Sequence, residues 1–150
     1  MSRRHTFRLE RVRALRERAE DQAKEELAGA MAEQARWAER ATDAARRVGA
    51  ARASQLGTAQ GGASVDQLLA HQAFIERSER EHHSAELDLS RGEAEVDARR
   101  VALQQAAQQR QVLERLKEQQ AAAHRLELER REGAELDELA LSRHRRGAAR

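Results

Sequence analysis

The chain has 150 residues, of which 36% are charged and 2% aromatic, with no Pro, Tyr or Cys. That is enough for one domain, but it lacks the aromatic and β-branched side chains that fill a compact core. The net charge of +2, from 28 basic and 26 acidic residues, gives little general attraction to nucleic acid. Without cysteine there are neither disulfides nor thiol catalysis, and no apolar run approaches the ~20 residues of a membrane span.

The apolar residues are mostly Ala and Leu, which with Glu, Gln and Arg are strong helix formers, while strand formers are scarce. This is the composition of long helices and coiled coils. The opening MSRRHTFRL is Arg-rich, but Glu10, Glu17, Glu20 and Asp21 follow it and no apolar signal stretch appears. A soluble cytoplasmic protein is therefore expected.

The first helix is expected over about Arg4–Leu56. Its apolar residues step by three and four through Val12, Leu15, Ala19, Ala23, Leu27, Met31, Ala35, Ala38, Ala41, Ala45 and Val48, close to the 3.6 period of a plain helix. A break follows in SQLGTAQGGAS, where Gly57 and the pair Gly61-Gly62 mark a turn over about 57–64. Ser64 and Gln67 have capping-box spacing and Asp66 falls in the first turn, so a second helix is expected over about Val65–Arg146. Its clearest signal is a strict seven-residue column, Leu68, Ile75, His82, Leu89, Val96 and Leu103, one side of a coiled-coil seam. The stripe is then expected to shift to Val112/Leu113, Leu116, Ala123 and Leu126. Leu15, Leu27, Met31 and Val48 are the larger seam residues of the first helix.

Each helix has one narrow apolar stripe that it cannot bury alone, and the short connector makes the two helices antiparallel neighbours. The expected fold is an all-α, antiparallel two-helix coiled-coil hairpin, a single unit over 1–150. At ~1.5 Å per residue the helices measure roughly 80 and 120 Å. Phe7 then falls opposite Leu113–Leu116, and about 30 residues of the second helix overhang. The overhang includes LDELALSRHRR, running from Leu136 to Arg146.

His82, His83 and Glu86 include an i,i+4 pair, a spacing some zinc sites use, but no convergent third ligand is evident. His82 occupies a seam position, where a polar residue sets register. No phosphate-binding glycine loop, catalytic triad or carboxylate pair is readable, and two helices form no deep cleft. Neither an enzyme nor a cofactor is expected. Both ends are basic, with Arg3, Arg4, Arg8, Arg11 and Arg13 at the start and Arg143, Arg145, Arg146 and Arg150 at the finish. The second cluster complements the dipole at a helix C-terminus. Trp37 and Phe74 read as flanking the seams, so either is a packing residue or an interface anchor.

Three segments resemble the FliJ family of flagellar type III export proteins. They are FRLERVRALRERAEDQAKEELAGA at the start, ASVDQLLAHQAFIERSE after the turn, and VLERLKEQQAAAHRLELERREGAELDELALSRHRR in the last third. In the last, Leu136, Asp137, Glu138, Ala140 and Arg143 match the family's ending position by position. The resemblance implies a soluble stalk linking an export ATPase hexamer to the membrane export gate protein, escorting substrate chaperones and associating peripherally with the inner membrane at the flagellar base. It implies ATPase-ring contacts at Phe7, Arg11, Leu136, Asp137, Glu138, Leu139 and Arg143, and gate contact at the turn-proximal half, where Phe74 and Trp37 are the available aromatics. Three alternatives stay open: the equivalent stalk of a virulence secretion system, a generic scaffold or homodimer pairing through Leu126, Leu136 and Leu139, and a basic helical nucleic-acid binder, whose affinity would fall steeply with salt.

Overall fold

The computed structural model describes residues 7–148. Two helices pack against each other as an antiparallel hairpin: α1, Glu10–Gln60, with 51 residues, and α2, Val65–Ala148, with 84. The expected start at Arg4, like Arg3 and Arg150, lies outside the described residues, while Phe7, Arg8 and Leu9 are not helical. The Glu10 amide donates to the Phe7 carbonyl at 3.1 Å as the first turn forms.

The far end of α1 also differs from expectation, because the helix runs through Gly57 to Gln60. One glycine costs only about 1 kcal/mol against alanine. The helix stops where Gly62 adopts φ +82°, a left-handed conformation that a side chain disfavours. The Ser64 amide then donates to Gln67 Oε1 at 3.0 Å, and the Gln67 amide donates to Ser64 Oγ at 3.3 Å. This reciprocal capping box starts α2.

The chain divides into two compact units. In the unit spanning 21–105, both helices carry strict heptad columns. In α1 the buried and half-buried residues are Leu27, Gln34, Ala41, Val48 and Gln55 in one column and Ala23, Ala30, Trp37, Ala44, Ala51 and Thr58 in the other, with Glu26 and Ala38 beside them. In α2 they are Leu68, Ile75, His82, Leu89, Val96 and Leu103, accompanied by His71, Ser78, Ala85, Gly92 and Arg99, with Glu79 and Asp88 at the edge. The antiparallel register shows in the cross-helix contacts Thr58–His71 (3.2 Å), Gln55–Gln72 (3.3 Å) and Arg52–Glu79 (2.5 Å). Much of this seam is alanine. It packs closely, but each methyl contributes only about 0.8 kcal/mol of burial.

Counting only apolar residues therefore misplaces six positions of the expected α1 stripe, since Val12, Leu15, Ala19, Met31, Ala35 and Ala45 are exposed. Leu15 and Met31 are 61% and 48% exposed. Neither belongs to the seven-residue columns, which admit Gln34 and Gln55 where the apolar count steps aside. The physical reason is that a charged or amide side chain fits a narrow two-helix seam when its polar tip reaches the edge.

In the other unit, described for 7–20 and 106–148, the α2 stripe does not shift to Val112 and Leu126, both exposed. The heptad column continues at the same interval through Arg110, Lys117 and His124, all half-buried, with Ala106 and Leu113 as companions. Leu116 is half-buried as well, while Ala123 is exposed. Here the seam is ionic. Glu20 is buried and accepts from Arg110, Arg13 donates to Glu114 at 2.9 Å, and Lys117 lies 3.0 Å from Glu10. Arg16 adds a bond to Gln109 at 2.8 Å.

Candidate interaction surfaces

The C-terminal end of α2 forms the first surface. From Glu129 onward every described side chain is exposed except Ser142, which is half-buried and donates to the Leu139 carbonyl at 2.9 Å. Leu136 and Leu139 are 67% and 54% exposed, and Leu141 is exposed with them. An amphipathic helix normally buries such residues against a neighbour, and none of the described residues covers them. Asp137, Glu138 and Arg143 are exposed on the same stretch. Glu135, Glu138, Leu139 and Ser142 line a shallow groove along it.

Phe7 and Arg11, expected on this surface, lie at the start of α1. Arg11 is exposed, but Phe7 is 8% exposed. The Phe7 ring is thus part of the packing at the root of α1 rather than a free contact. Close by, the Arg13 guanidinium and then Lys117 hold the Glu10 carboxyl below the usual carboxylate range. The hydrogen bonds Arg13 donates to Glu10 and Glu114 push its guanidinium upward, and the bond Arg110 donates to Glu20 does the same for Arg110. Glu10 shifted down and Arg13 and Arg110 shifted up are each held further in the charged form, so these three act as fixed charges in an ionic clasp.

The second surface lies near the turn. Phe74 is 48% exposed and shares a shallow groove with Ser54, Gln67, Ala70 and His71. It is the only exposed Phe or Trp among the described residues. Trp37, expected beside the stripe, is instead in the α1 seam. Its ring edge meets Gly92, where an added Cβ would sit 3.2 Å from Trp37 Cδ1, and the Arg40 guanidinium lies 4.6 Å from the ring centroid. Apolar periodicity alone does not reveal this place, because Trp37 belongs to a seven-residue column with Ala30 and Ala44.

His82 sits in the seam with Nε2 3.5 Å from Glu86, while His83 is exposed. Among the described residues no group of three His, Cys, Asp or Glu side chains could hold a metal ion, and no helix is long and apolar enough to cross a membrane. The fold is an antiparallel coiled-coil hairpin with one arm longer than the other and with exposed leucines on the longer arm.

The family model described as flagellar FliJ protein matches residues 5–149, and the chain belongs to the FliJ family. It is accordingly a component of the flagellar export apparatus with no catalytic step of its own. Neither a curated protein nor a solved structure matches the chain.

Proposed function

We propose that this protein is the stalk that links the export ATPase ring to the membrane export gate, escorting substrate chaperones at the cytoplasmic face of the inner membrane. The observation that carries the reading is the end of α2, where Leu136 and Leu139 are exposed and no described residue of α1 packs against them. A rigid helix presenting two leucines between acidic and basic side chains suits the centre of a ring. Leu136 and Leu139 would supply the apolar contact, and Asp137, Glu138 and Arg143 the polar rim. Arg11 would reach the ring's edge, while Phe7 would hold the root of α1 in place.

The turn-proximal half suits the gate, with Phe74 as its anchor. Trp37 would act there through the packing it maintains, since its ring is engaged against Gly92. The test is truncation after Glu132. The shortened chain should lose binding to the export ATPase while keeping the hairpin's helicity. Pull-down at full strength after that truncation would remove the overhang from the account.

A further inference from the structure

The charges of the overhang are segregated in a way that the rest of α2 is not. Elsewhere the helix pairs its charges locally, as in Arg91–Asp88, Arg99–Glu95, Arg100–Asp97 and Arg131–Glu127. After Arg131 the acids come first, at Glu132, Glu135, Asp137 and Glu138, and the bases afterwards, at Arg143, Arg145 and Arg146. The gap from Glu138 to Arg143 exceeds the i,i+4 reach of a helix. Among the described residues none of these forms an ion pair. Arg146 bonds to Ser142, at 3.2 Å to the carbonyl and 3.3 Å to Oγ.

Glu132, Leu139 and Arg146 fall on one seven-residue column. Glu135, Leu136 and Arg143 lie beside it, at the three- and four-residue offsets of the same helix face. This face has an acidic half, an apolar centre and a basic half. A parallel copy would set like charges against like. An antiparallel copy related by a two-fold axis at Leu139 sets Glu132 against Arg146 and Glu135 against Arg143, each twice, with the two Leu139 side chains meeting at the axis. That is the self-complementarity an isologous contact requires, with flanking charges fixing orientation as in coiled coils.

We propose that the free protein associates with a second copy of itself through this face of the α2 overhang, antiparallel and centred on Leu139. The contact is short, since residues 132–146 span only about 21 Å of helix, so the dimer is weak and reversible. It hides Leu136 and Leu139 from any other partner, which makes it a self-masking state of the protein outside its assembly. The proposal concerns the free chain and stands whether or not the ring reading holds.

Sedimentation equilibrium of the full chain over a concentration series tests it. At low salt a monomer–dimer equilibrium is expected, weakening as salt rises. E132R/E135R makes the whole face basic and R143E/R146E makes it acidic. Each variant alone should dimerise at least about tenfold more weakly than the wild type. An equimolar mixture of the two should recover the association as a heterodimer, with circular dichroism unchanged throughout. A wild-type chain that stays monomeric at low salt overturns the proposal. So does dimerisation by either variant at wild-type strength, which would put the contact on another surface, or a mixture that fails to associate.

Discussion

Gly92 offers a sharp test of the α1–α2 packing, because the same substitution should act differently at different glycines. Around Gly49 an added Cβ meets nothing within 4 Å, whereas at Gly92 it lies 3.2 Å from Trp37 Cδ1 and 3.5 Å from Gln34 Cα. Gly49→Ala should therefore gain close to the full helix-propensity difference, about 1 kcal/mol. Gly92→Ala gains the same propensity but forces the indole outward by a few tenths of an ångström, against backbone on one side and the stacked Arg40 on the other. The two effects should nearly cancel. Gly92→Val adds branched carbons that the seam cannot accept, and overpacking of this kind costs about 1–3 kcal/mol. Thermal melts followed at 222 nm should separate the three, since 1 kcal/mol moves the midpoint of a chain this size by about 2–4 °C. Trp37→Leu should remove the penalty at Gly92, seen as coupling in a double-mutant cycle. If Gly92→Val melts at or above the wild type, the close approach of Trp37 to α2 is wrong.

The ionic end of the seam carries two further expectations. Arg110→Ala removes the guanidinium from which buried Glu20 accepts, so it should lower the melting temperature more than Arg36→Ala, whose exposed pair lies within one helix turn. The Glu10 carboxyl is held below its ordinary range by Arg13 and Lys117. Its contribution is present above the ordinary carboxylate pKa and is lost as pH falls through the lowered value. Amide protection in the first turns of α1, corrected for the intrinsic exchange rate, should fall in that acid window, and Glu10→Gln should flatten its pH dependence. Phe74→Ala should leave the melt almost unchanged while weakening export-gate binding by about 1–2 kcal/mol; unaltered affinity would return Phe74 to ordinary surface.

Much of the hairpin is readable without coordinates because the signals are local. The Ser64–Gln67 box, the paired glycines and the column from Leu68 to Leu103 each follow from a few neighbouring residues. The unequal arms follow from where the turn falls, which exposes Leu136 and Leu139. What escaped was the polar part of the seam. Arg13, Glu20, Gln34, Arg110 and Lys117 obey the same seven-residue interval, yet a search for apolar periodicity passes over them and promotes Leu15 and Met31 instead. Their place depends on partners across the hairpin, Glu114 for Arg13 and Glu10 for Lys117, separated by about a hundred residues of sequence. Trp37 was lost in the same way, since only the companion column containing Gly92 gives it a place. Which proteins meet the exposed surfaces is not written in either helix, because half of each such interface belongs to another chain.

On the proposed function, the α2 overhang enters the export ATPase ring. The chain contains no cysteine, so a single Leu136→Cys substitution gives one attachment point for a cysteine-to-amine crosslinker, with Val101→Cys, also exposed, as its counterpart. In the presence of the ATPase hexamer, Leu136→Cys should form a crosslinked product with an ATPase subunit and Val101→Cys should not. Crosslinking at position 101 with none at 136 would contradict the account.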